Sequence, residues 1–172
     1  MKIIETKVYS FDELSPEAQE KALNKLCDLN VNYDWWEFEY EDAERIGLKI
    51  TGFDLDRGDY CNGEFIHDAC YTANKIKEEH GEECETYKTA DNFLRERDEL
   101  VDTAEKDENG DFADESDLDD KLDESEEDFL KSILEDYLSI LKKEYEYRTS
   151  KEAVIETIQS NDYAFTEDGE LF

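Results

Sequence analysis

Fifty-one Asp and Glu side chains against nineteen Lys and Arg give this chain a formal net charge of −32. Like charge limits what it can fold into, because any compact form must hold its carboxylates at the surface against their mutual repulsion. The excess peaks at residues 105–128, EKDENGDFADESDLDDKLDESEED, where fourteen acids face two lysines. Duplex DNA carries about one charge per 1.7 Å, so 32 charges match the phosphates of about 54 Å of duplex. A chain of 172 residues packs into a body roughly 40 Å across. The charge per length therefore approaches that of nucleic acid, far beyond the net charge of about 2 to 8 usual for a small domain.

Such a field repels DNA, RNA and anionic membranes, and it steers basic grooves toward the protein at low ionic strength. Direct nucleic-acid binding is therefore not expected. A nuclease is disfavoured for the same reason, since it would have to draw a polyanion into a negative field.

Hydrophobic residues make up 38%, with ten Tyr, nine Phe and two Trp, too rich an apolar supply for a wholly disordered acidic tail. At this length a single domain over 1–172 can bury about 70% of its unfolded surface, with an acidic insertion at about 105–128. The N-terminal MKIIETKVYSFDEL lacks the apolar core of a signal peptide, and no run of about 18 apolar residues occurs. The expected location is the cytoplasm of the cell that makes it. Cys27, Cys61, Cys70 and Cys84 form no CxxC pair, so reduced thiols are the default.

Residues 2–11, with Ile3, Ile4, Val8, Tyr9 and Phe11, read as a strand. Ser15, Pro16 and Glu17 open a helix ending near Asn30. The segment Asp34 to Ile46 reads as a second amphipathic helix stopped by Gly47. Leu48 and Ile50 share one face while Phe53 and Leu55 take the other, so a bulge is expected at Gly52 before a hairpin into Tyr60 to Ile66. Further helices are expected over Ala69 to His80, after a cap at Thr89, from Phe129 onward at 3.6-residue period, and over Lys151 to Gln159. The tail suggests a strand pair around Thr166 to Gly169. The fold class is α+β: a small, mainly antiparallel sheet with several packed helices and an acidic loop or helix insertion.

The tract is either a solvated loop, as composition favours, or a scaffolded anionic surface. Leu118 and Leu122, four apart, suit a helix face. Successive helical turns would then present carboxylates about 5.4 Å apart along the axis, on the scale of phosphates along a strand. The candidate partner-binding residues are Asp107, Glu108, Asp111, Asp114, Glu115, Asp117, Asp119, Asp120, Asp123 and Glu124 of the tract. The Glu78 to Glu85 cluster adds Glu78, Glu79, Glu82 and Glu83, and a third cluster holds Glu37, Glu39, Glu41, Asp42 and Glu44. Trp35 and Trp36 are candidate anchors, as Trp is enriched at binding hot spots; adjacent helical positions point about 100° apart, so one is core and the other partly exposed. Tyr60 is a further anchor.

Cys61, His67, Cys70, His80 and Cys84 carry HxxC and HxxxC spacings but match no standard zinc finger, and small core thiols with surface histidines are the better reading. Asp54, Asp56 and Asp59 begin like a calcium loop, but its sixth and twelfth places hold Asp59 and Phe65 instead of Gly and Glu, so a hairpin turn fits better. No GxSxG, P-loop, Rossmann glycine pattern or HExxH occurs, so neither an enzyme nor a cofactor is expected.

FDELSPEAQEKAL, YDWWEFEYEDAERIGLKITGFDLDRGDYCNGEF and NDYAFTEDGELF resemble a family of small acidic bacteriophage and prophage proteins, some labelled antitoxin. The resemblance covers the N-terminal third and the last dozen residues, supplies no catalytic residues and implies a phage setting, and with it the cytoplasm of a bacterial host. Phages also deploy acidic proteins against the DNA-binding clefts of nucleases, restriction enzymes and CRISPR effectors, a similarity of strategy only. The leading expectation is a non-enzymatic nucleic-acid mimic inhibiting a basic nucleic-acid-binding host defence protein. The rivals are an antitoxin-like or adaptor protein binding one partner through an aromatic and apolar surface, and a small zinc protein.

Overall fold

Local capping sets where several helices begin. Ser15 Oγ accepts from the Ala18 amide and Pro16 takes the first helical position, opening α1 (Pro16–Lys25). Asp68 caps α3 (Ala69–Glu79) and Ser150 caps α6 (Lys151–Ser160) in the same manner. The computed structural model describes residues 5–106, 108, 112–113 and 115–172. Among them it contains six α-helices and one two-stranded antiparallel sheet, an α+β architecture. The helices not yet placed are α2 (Glu37–Arg45), α4 (Glu85–Thr103) and α5 (Glu115–Arg148), and the strands are β1 (Leu48–Asp54) and β2 (Tyr60–Phe65).

The chain groups into two units, one of residues 1–35 and 143–172, the other of residues 36–142. In the first, α1 and α6 enclose Phe11, Leu14, Ala18, Ala22, Val154, Ile158 and Phe165. Phe11 meets Phe165 edge to face at 6.1 Å. The expected strands at the two termini reduce here to single bridges, Tyr9 with Phe165 and Phe165 with Leu171. Ser10 and Glu13 close a capping box that turns the chain into a 3₁₀ helix at Phe11–Glu13, so no ladder can extend past Tyr9. Ile3 and Ile4 lie outside the described residues. Gly169, at φ +81°, closes the final turn where a Cβ would collide with the Ala18 carbonyl oxygen. α1 itself stops at Lys25, and turns occupy 27–31.

The second unit is built on Ala43, Ile46, Leu48, Ile50, Ala73, Ile76, Phe93, Phe129, Ile133 and Tyr137, all buried. The β1–β2 register slips between Ile50 and Gly52, which is the bulge the alternation predicts. Three helix boundaries differ from expectation. α2 begins at Glu37 with Trp36 as its cap, because 31–36 are used in turns. α4 begins at Glu85, four residues before Thr89, whose hydroxyl instead donates to Asp136 on α5 at 2.6 Å. α5 begins at Glu115 inside the acidic tract, fourteen residues before Phe129; its last six residues are counted with the first unit. No helix among the described residues is long and apolar enough to cross a membrane.

Candidate functional site

Half of the acidic tract is the N-terminal part of α5. Leu118 and Phe129 are buried and Leu122 is half-buried, a stripe at i, i+4 spacing continued by Ile133 and Tyr137 into the core of the second unit. That stripe fixes the opposite face. Glu115, Asp117, Asp119, Asp120, Asp123, Glu124, Glu127 and Asp128 are all exposed. They stand in rows four residues apart, Glu115–Asp119–Asp123–Glu127 and Asp120–Glu124–Asp128, on neighbouring sides of one cylinder. The basic residue among them, Lys121, pairs with Asp117 at 2.5 Å.

Helix α4 widens the anionic surface. Glu96 and Glu99 of α4 and Lys121, Glu124 and Asp128 of α5 line a cleft of about 450 Å³ together with Leu100 and Thr103. Glu96, Glu99, Glu127 and Asp128 were not among the residues singled out from sequence, although Glu127 and Asp128 continue the rows from Asp123 and Glu124 at the same four-residue step. Of the residues that were, Asp107, Asp111 and Asp114 lie outside the described residues, and Glu108 sits in a turn preceding α5.

The Glu78 to Glu85 cluster is a different kind of surface, because its charge is largely matched. Glu78 pairs with Lys75 at 2.6 Å, Glu79 with Arg45 at 3.5 Å and Glu85 with Lys88 at 2.8 Å. Glu82 and Glu83 are exposed in the turn between α3 and α4. Trp35, a candidate anchor, is 6% exposed and lies against Tyr145 at 5.7 Å, so it is part of the core and not of a docking surface. Trp36 is half-buried edge-on to Phe53 at 5.4 Å. Phe38, 70% exposed on α2, and Tyr60, 45% exposed on β2, are among the exposed aromatics, as are Tyr33, Tyr147 and Phe172.

A polar network inside the second unit was not legible from sequence. The Tyr137 hydroxyl donates to Asp42 Oδ2 at 2.8 Å, and His80 Nε2 lies 3.5 Å from the same oxygen. His80 Nδ1 meets Thr86 Oγ1 at 2.8 Å, and Arg45 Nη2 reaches Asp42 Oδ1 at 2.8 Å. The series resembles a nucleophile–base–acid chain, but Thr86 is 3% exposed and no substrate can reach its hydroxyl. Its effect is to join α2, α3, α4 and α5. The His80 imidazole, and with it the Tyr137 hydroxyl, hold the Asp42 carboxyl below its ordinary value against the opposing effect of burial. Burial and the Asp42 charge push the Tyr137 phenol well up.

A depressed carboxyl value means that the unfolded chain takes up the proton first. The stabilisation is therefore present above the ordinary value of 3.8 and lost as pH falls through the folded value. Asp42→Asn should cost about 1–2 kcal/mol at neutral pH. Urea titrations at pH 7 and near pH 3 should show the gap to the parent protein closing at the acid end; a pH-independent gap would contradict this assignment.

The cysteines and histidines weighed as zinc ligands are dispersed. Cys61 is half-buried on β2 with its thiol pushed up to about 11 by burial, and Cys84 is exposed. His67 stacks edge-on to Tyr71 at 4.4 Å. Among the described residues, no three His, Cys, Asp or Glu side chains are grouped so as to hold a metal ion. Comparison with protein-family models, with curated proteins and with solved structures gave no match.

Proposed function

We propose that this chain is a non-enzymatic, phage-encoded inhibitor whose carboxylate face occupies the nucleic-acid groove of a basic host protein. The target would be a bacterial defence protein such as a CRISPR effector, a restriction enzyme or another nuclease. One observation carries the reading: the densest acidic stretch is a helix tied to the core by its own Leu118 and Phe129. From Glu115 to Asp128 it bears nine carboxylates and one lysine over about 21 Å, about one net charge per 2.6 Å. Duplex DNA carries about one per 1.7 Å.

Charge that serves only solubility requires no ordered array. Five like-charge i, i+4 pairs oppose this helix by about 0.2–0.5 kcal/mol each, and a cationic cleft built for phosphates is where that repulsion would be relieved. The alternative, an antitoxin-like or adaptor protein using an aromatic surface, is favoured by one feature, the exposure of Phe38.

Salt separates the two readings. Affinity capture from a bacterial lysate at about 0.05 M salt should retain a basic protein that elutes by about 0.5 M, since screening lengths fall from about 10 Å at 0.1 M toward 3 Å at 1 M. The captured protein should release bound DNA or RNA when this chain is added in equal amount. Simultaneous binding of both, or retention indifferent to salt, would refute the mimic.

A further inference from the structure

Among the described residues the sheet is two-stranded, so no described strand lies beside the outer edge of β2. Between that edge and α5 lies a channel of about 370 Å³. Asp59, Tyr60, Cys61 and Asn62, successive residues whose side chains alternate across the strand, line one side of it. Leu130, Leu134 and Leu138, one i, i+4 row of α5, form the apolar floor. Strand and helix touch at Gly63, where an added Cβ would lie 2.9 Å from the Leu134 side chain, so the channel is confined to the Tyr60 end of β2.

The rim on the α5 side is Glu127, Lys131 and Glu135. These continue the row Asp119–Asp123–Glu127 at the same four-residue step, so the channel opens directly off the anionic face. Asp59, across the channel, is held by Lys142 at 2.9 Å. An apolar floor bordered by charge is the anatomy of an interface centre and its rim. An unpaired strand edge supplies amide and carbonyl groups suited to one more extended chain.

We propose that this channel receives an extended segment of a basic protein partner, laid along β2 as a third strand of about four residues. Alternate apolar side chains of the segment rest on Leu130, Leu134 and Leu138, and its Lys or Arg side chains meet Glu127 and Glu135. The proposal rests on the anionic-face reading only for the partner's positive charge. It adds an apolar, directional contact that charge alone does not provide.

Three octapeptides test it on the intact protein: alternating Lys-Val, alternating Lys-Ser, and Lys-Val N-methylated at every backbone amide, which cannot donate to a strand edge from either side. At about 0.3 M salt, where charge is largely screened, fluorescence anisotropy should give Lys-Val at least ten-fold tighter binding than either control. Amide shifts at Tyr60 and Asn62 and methyl shifts at Leu130, Leu134 and Leu138 should accompany it. Equal binding of Lys-Val and Lys-Ser, with shifts confined to Asp119 through Asp128, overturns the channel and leaves the anionic face standing. Equal binding of the N-methylated peptide overturns strand addition, and binding by none of the three at any salt overturns both readings.

Discussion

Changing Asp119, Asp120, Asp123, Glu124 and Glu127 together to their amides should make the protein more stable and its partner binding weaker. Each of the five like-charge i, i+4 pairs between Glu115 and Asp128 contains at least one of these residues. Removing repulsion of about 0.2–0.5 kcal/mol per pair, less the favourable Glu127–Lys131 pair, yields a net gain of roughly 1–2 kcal/mol at low salt. All five side chains are exposed, so no packing is lost. Urea titration at about 0.02 M salt should report the gain, and about 0.5 M salt should shrink it as screening does the same work in the parent protein. Affinity for the captured basic partner should fall at least a hundred-fold. Stability and affinity moving in opposite directions is what separates a surface retained for binding from one retained for solubility. Undiminished affinity in this variant would refute the mimic, and undiminished repulsion would mean the rows are not where α5 puts them.

The converse change is at the anchor. Phe129 is 3% exposed, with its ring stacked on Phe93 at 4.4 Å and 10° and on Phe65 at 5.6 Å and 21°. Phe129→Ala should cost about 3–5 kcal/mol, from lost transfer energy and the cavity left between two facing rings. The surface pair Lys75–Glu78 on α3 gives a scale: breaking it should cost less than about 1 kcal/mol. Because Phe129 is the first fully buried residue after the acidic rows, the loss should fall on them too. Amide exchange over 115–128 should rise more than over α3, and partner affinity should drop although no carboxylate has been touched. Exchange unchanged over 115–128 would show that Leu118 alone holds the tract.

The sequence by itself determined what short-range chemistry can determine. Ser15 before Pro16 and Asp68 before Ala69 meet amides within three residues, and the apolar period from Phe129 and the alternation broken at Gly52 need only neighbouring positions to be read. Its charge, too, needs no fold to be known. Tertiary structure decided the rest. Composition favoured a solvated loop over a scaffolded helix for residues 105–128, yet Glu115 to Asp128 are helical, with Leu118 buried and Phe129 packed on Phe93 and Phe65, 36 and 64 residues away. Thr89 looks like a cap until Asp136, 47 residues away, takes its hydroxyl. Trp35 looks like an anchor until Tyr145 covers it. The Asp42 network joins four helices, and the channel beside β2 exists only because Leu130, Leu134 and Leu138 come to lie opposite Tyr60. Each depends on a contact between residues distant in the chain, and burial energy, unlike capping or periodicity, is settled only when both partners are in place.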